Sequence, residues 1–158
     1  MRYLREKDDN CLLLCKIQAS IFERASTEGI PSAYFAKVYA SSAHCLMMDD
    51  LSWLDTNIDE ITSFNQVKEH VTMRRGTIYP KEVMFWIGYL LREWSYRYYV
   101  NTAYILKNAP MSLLADVYPT YHGLDVNKAI ALIAESRGID LQEDTEARVQ
   151  RIIRQINK

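Results

Sequence analysis

The groups in this chain with the widest chemical reach lie in one run, KEVMFWIGYLLREWSYRYY, from Lys81 to Tyr99. Within it Arg92, Glu93 and Arg97 sit among apolar neighbours, and Tyr96, Tyr98 and Tyr99 surround them. A guanidinium between phenol rings can grip an anion, because it offers a planar fork of donors while the rings keep water out. Glu93 and Arg97 are also four apart, the spacing that pairs charges along a helix. Two readings follow: an anion-holding pocket built on Arg92 or Arg97, or a surface ion pair on the one exposed stripe of an apolar helix. The surface pair is the expectation, since a buried charge stripped of its partner costs roughly 3–5 kcal/mol.

Tyr121-His122-Gly123 puts a histidine in a turn ahead of a capped helix, where imidazole can act as acid, base or ligand near neutral pH. No serine or cysteine with a nucleophile's surroundings accompanies it, so a bond to backbone or packing on the central helix is the plainer use. Cys11 and Cys15 are one helical turn apart and His44-Cys45 lies on a neighbouring helix, a donor set that zinc accepts. The spacing fits no compact zinc motif and cysteine is often buried, so no metal is assigned. Asp49-Asp50, Asp55 and Asp59-Glu60 lack the loop spacing of a calcium site and read as a solvated acidic surface. Arg148, Arg151 and Arg154 form a basic stripe without interleaved aromatics, again read as solvated rather than as a phosphate-binding face. With no glycine-rich phosphate loop, GxSxG or placeable pair of catalytic carboxylates, neither a catalytic residue nor a cofactor is assigned.

The elements that must position these groups are helices. Val83, Ile87, Leu90, Trp94 and Tyr98 recur on one helical face and Phe85, Tyr89 and Tyr96 on a second, which predicts a buried central helix over 81–99, started by Pro80. Leu13, Leu14, Ile17, Ile21 and Phe22 predict a first helix from Asp8 or Asp9 to Glu28, stopped by Gly29. Ser32 opens a second, with Tyr34, Phe35, Val38, Tyr39, Ala43 and Leu46 inward, and the short connection makes the two a hairpin. Helix is also predicted over 58–71, near 100–106, and over 111–118 with Pro119 closing it. Asp125 caps Val126 to Arg137. Asp144 or Thr145 opens the last helix, with Val149, Ile152, Ile153 and Ile156 facing inward.

A chain of 158 residues can bury about 70% of the surface its unfolded form exposes, enough for one domain spanning 1–158. Few glycines and prolines and no strand-length alternation predict an all-α, single-domain helical bundle around the buried aromatic helix. Nineteen basic against twenty acidic residues give no global pull toward nucleic acid or anionic lipid. An odd cysteine count, a charged start and no membrane-length apolar run predict a soluble protein of the reducing cytoplasm, with no membrane partner.

Three stretches resemble an uncharacterised bacterial family: LREKDDNCLLLCKIQASIFERA at the start, FWIGYLLREW over 85–94, and YHGLDVNKAIALI over 121–133. Members usually read tyrosine-arginine-tyrosine-tryptophan where this chain has Leu91-Arg92-Glu93-Trp94, so Arg92 and Trp94 match while Leu91 and Glu93 depart. The family resembles small accessory or antitoxin-like proteins encoded beside toxin-like genes, ADP-ribosyltransferase-like ones among them. The resemblance implies a protein partner and names no catalytic residue.

Tyrosine and arginine are also the residues that anchor interfaces. The functional expectation is therefore a protein-binding module, the antitoxin or regulatory member of a toxin–antitoxin-like pair, recognising its partner through Arg92, Tyr96, Arg97, Tyr99, Tyr121 and His122. The alternative is a small-ligand protein or enzyme in which Arg92, Tyr96 and His122 line one pocket. Nucleic-acid binding through Arg148, Arg151 and Arg154 is a third reading, and self-association is compatible with all three.

Overall fold

The computed structural model describes residues 4–156; over 142–156 it describes the side chains of Ala147, Val149, Gln150, Ile152, Ile153, Arg154 and Ile156. Every regular element among the described residues is helical: α1 (Asp9–Thr27), α2 (Ser32–Ala40), α3 (Ala43–Asp49), a 3-10 turn (Ser52–Asp55), α4 (Glu60–Lys68), α5 (Lys81–Tyr98), α6 (Thr102–Asn108), α7 (Met111–Tyr121), α8 (Val126–Ser136) and α9 (Leu141–Ile156). No described helix is long and apolar enough to cross a membrane.

The axis of the bundle is α5, which packs along α1 far more extensively than any other two helices pack. One residue makes that approach possible. A Cβ placed on Gly88 would lie 2.9 Å from the Gln18 carbonyl oxygen and 2.9 Å from both Cβ and Cγ of Phe22. Phe22 in turn meets Phe35 and Tyr39 edge-on, and Phe35 stacks on Phe64, so an aromatic layer from α1, α2 and α4 closes the core. Gly88→Val is expected to force α1 and α5 apart and destabilise the fold by roughly 1–3 kcal/mol, read from urea unfolding. An unchanged midpoint would show that the contact is not tight.

Local chemistry sets the helix ends. Asp8 accepts from the Cys11 amide at 2.9 Å to cap α1, and Gly29, with φ +74°, takes the left-handed conformation after it. Asp59 caps α4 through Thr62 N at 2.7 Å, which shortens the helix predicted over 58–71 to 60–68. The predicted second helix is divided, because Ser42 accepts from Cys45 N at 3.1 Å and starts α3 afresh. The new direction leaves Leu46 exposed rather than inward. Tyr99, at φ +55°, ends α5, and Asn101 caps α6 as a separate helix. Pro119 lies inside α7 instead of closing it, and the helix runs on to Tyr121. The missing proline N–H removes one bond near a helix end, too little to stop the last turn.

On α9 the expectation fails. Ile152, Ile153 and Ile156 are 43%, 41% and 75% exposed, and Val149 is only half-buried. Periodicity marks an apolar stripe correctly, but it does not say whether the domain or something else covers it.

Candidate functional site

Arg92 stands at the centre of the molecule and is fully buried, as is Glu93 beside it, which overturns the surface ion pair. Four helices supply the partners of Arg92. Gln18 of α1 accepts from its Nε at 2.9 Å and Nη2 at 2.7 Å, and Asp49 of α3 accepts from Nη1 at 2.7 Å. Ser95, one turn along α5, lies 3.2 Å from Nη1, and Thr102 of α6 lies 3.1 Å from Nη2. The partners are themselves tied together. Asp49 accepts from Thr102 Oγ1 at 2.8 Å and from Ser95 Oγ at 3.2 Å, while Tyr39 donates to Gln18 Oε1 at 2.6 Å. All three nitrogens of the guanidinium are engaged, so it has no donor turned to solvent for an anion. Burial pushes the Cys45 thiol, 3.8 Å from Nη2, up to about 11, which keeps it a neutral thiol at pH 7.

The other charges at the end of α5 are held by the segment ahead of α1. Lys7 Nζ lies 2.6 Å from Glu93 Oε1, and Arg97 Nη1 lies 3.7 Å from Oε2. Burial opposes the lysine's charge, but the hydrogen bond and charge of Glu93 outweigh it and raise the Lys7 pKa. Arg5 and Arg97 exchange backbone contacts, Arg5 N donating to Arg97 O at 2.8 Å and Arg97 Nε donating to Arg5 O at 3.0 Å. The Arg5 guanidinium lies 4.8 Å from the Tyr96 ring centre and 4.2 Å from that of Tyr99. Tyr96 donates its hydroxyl to Asp8 Oδ1 at 2.9 Å, and burial together with that carboxylate pushes the phenol up to about 12. Tyr96, Arg97 and Tyr99 are thus clasp residues that seat the segment from Arg5 to Asp8 on α5.

Tyr121 and His122 end α7 elsewhere. His122 Nδ1 lies 2.8 Å from the Tyr118 carbonyl, and its ring stacks on Tyr118 with centroids 4.4 Å apart. Tyr118 meets Trp86 of α5 edge-on at 5.6 Å. The three rings form one wall of an open groove of about 530 Å³, continued by Phe85 and Tyr89. Arg92, Tyr96 and His122 therefore serve three different neighbourhoods, and the single Arg/Tyr/His pocket is not formed. As a partner-binding residue Arg92 is corrected: the core's own oxygens satisfy it.

Cys11 and Cys15 are 3.9 Å apart, sulfur to sulfur, both buried, while Cys45 belongs to the Arg92 network. His44 lies edge-on to Tyr39 and Trp53, and neither of its nitrogens has a hydrogen-bond partner. Among the described residues no group of three or more histidine, cysteine or acidic side chains is placed to hold a metal ion. Asp50 and Asp59 cap backbone amides instead. Arg154 is exposed, with its Nε 3.4 Å from the Gln150 carbonyl, whereas the side chains of Arg148 and Arg151 lie outside the described residues.

Comparison with protein-family models, curated proteins and solved structures finds none that matches this chain. Fold and site together define it as an all-helical bundle organised on a saturated buried arginine. Among the described residues, the α9 stripe and the aromatic groove both lie apart from the network around that arginine. Gln18, Ser95 and Thr102 are the functional-looking residues that the sequence left unmarked, and Asp49, expected on a solvated acidic surface, is instead largely covered and paired with Arg92. Gln18 carried a signal, as an amide at the helical spacing of Leu14, Ile21 and Phe22.

Proposed function

We propose that this protein is a cytoplasmic protein-binding module that docks a partner on α9, and that the partner is the toxin-like product of a neighbouring bacterial gene. The observation that carries the docking surface is the exposure of Ile152, Ile153 and Ile156 on one amphipathic helix. With Val149 they repeat at i, i+3, i+4 and i+7, the pattern by which a helix lays its apolar face in a partner's groove. Burying one such side chain fully is worth roughly 1.5–3 kcal/mol, so three supply the centre of an interface. The resemblance to antitoxin-like accessory proteins supports the choice of partner.

Co-expression with the product of the adjacent gene is expected to yield a stable complex and to relieve that product's toxicity. The double change Ile153→Asp and Ile156→Asp should weaken the complex at least about 100-fold, the loss of roughly 3 kcal/mol, while the melting temperature stays put. No complex and no relief of toxicity would sink the proposal. If the double change instead converted a dimer of this chain to monomer, α9 would be a self-association face and the toxin-like partner would be wrong.

A second reading, small-ligand binding, keeps one observation in its favour. That observation is the groove beside His122, without the arginine the sequence had placed in it. No reaction is assigned to it.

A further inference from the structure

We propose that the groove over Trp86 is a binding site for a small organic ammonium ion. The site is independent of α9 and goes beyond the partner-binding reading. Its floor is the Trp86 indole, crossed edge-on by Tyr118 at 5.6 Å, and its near side carries Phe85 and Tyr89 one turn apart on α5. Phe85 is 37% exposed, an unusual position for phenylalanine on the most buried helix of the fold. The lining carries two carboxylates, Glu23 from α1 and Glu82 from the first turn of α5, together with the His122 imidazole. Neither carboxylate forms an ion pair among the described residues; no lysine or arginine lines the groove, and Lys7 Nζ, paired with Glu93, lies 5.2 Å from the centre of the Tyr89 ring.

Charge complementarity selects the ligand. Aromatic faces carry negative potential and attract cations, most strongly over tryptophan. An anion would meet two carboxylates and several ring faces. A neutral apolar molecule would satisfy the rings but leave the carboxylates unused. An alkylated ammonium uses both, since its methyl groups pack on the rings while its diffuse charge faces Glu23 and Glu82. The volume of about 530 Å³ is within the range of small-molecule sites, roughly 300–1,000 Å³.

The test uses the full chain and two probes of the same shape: benzyltrimethylammonium and its uncharged carbon analogue, neopentylbenzene. Binding is followed by the shift of the Trp86 indole N–H resonance, assigned with Trp86→Phe. The ammonium is expected to bind at least about tenfold more tightly than the analogue. Glu23→Gln with Glu82→Gln should erase that preference, and Phe85→Ala should weaken both probes. Glu82 and Phe85 are exposed and Glu23 half-buried, so the fold survives these changes, which a melting curve verifies. Equal affinity for the two probes, no binding of the ammonium up to about 10 mM, or a preference that survives the Gln changes would overturn the proposal. Binding of a lysine-rich peptide without binding of the ammonium would do the same, by making the groove a protein-docking face. The α9 variants leave this experiment unaffected, so either proposal can fail without the other.

Discussion

Arg92→Ala is expected to remove roughly 3–5 kcal/mol of folding stability, enough to unfold a marginal domain at ordinary temperature. The loss is larger than a cavity alone would produce, because Asp49, Gln18 and Thr102 all direct oxygens at the missing guanidinium. A largely covered carboxylate, 12% exposed, left without its cation is the dominant penalty. Arg92→Lys should recover little of it, as one ammonium cannot reproduce the fork that spans Gln18, Asp49 and Thr102. Arg92→Met combined with Asp49→Leu should be more stable than Arg92→Ala, since both charges leave the core together. Urea unfolding of the wild type, Arg92→Met, Asp49→Leu and the double variant, which form a double-mutant cycle, measures the coupling. A coupling below about 0.5 kcal/mol would mean that the pair does not hold the helices together and that its apparent centrality is wrong.

The second large effect is acid sensitivity centred on His44. Burial lowers its pKa from 6.5 to about 4, with the nearby Arg92 charge acting in the same direction and Asp49 against it. The unfolded chain therefore takes up the proton first as pH falls. The stability associated with neutral His44 is complete above pH 6.5, declines between pH 6.5 and 4, and does not decline further below that window. The loss by pH 4.5 is about 2–3 kcal/mol. His44→Leu should flatten that part of the pH profile. A wild-type profile that is level between pH 6.5 and 4.5, or a decline that persists in His44→Leu, would show that the ring is not held neutral by burial. The ring's position, edge-on to Tyr39 and Trp53 with both nitrogens unbonded, is what makes its protonation costly.

Both effects concern polar groups inside an apolar core, where local pattern reading is weakest. The 3.6-residue recurrence of Val83, Ile87, Leu90 and Trp94 determined a buried central helix without any tertiary information. Caps did the same for α1 and α8, because Asp8 and Asp125 act within a few residues of themselves. The break between α2 and α3 and the shortening of α4 are local too, yet they turn on which of several cap-competent side chains wins.

The surroundings of Arg92 were decided only by the tertiary structure. Gln18, Asp49 and Thr102 lie 74, 43 and 10 residues away from it in sequence, and no spacing rule links them. Charge argued for a surface position, and the fold reversed that by assembling enough oxygens to replace water. The same limit applies in the opposite direction at α9, where Ile152, Ile153 and Ile156 form the stripe that their spacing predicts but face outward. Sequence alone determined which faces are apolar, because helical periodicity is a property of a single segment. What covers each face, and which charges that covering satisfies, depends on segments far apart in the chain, so only the tertiary structure decided it.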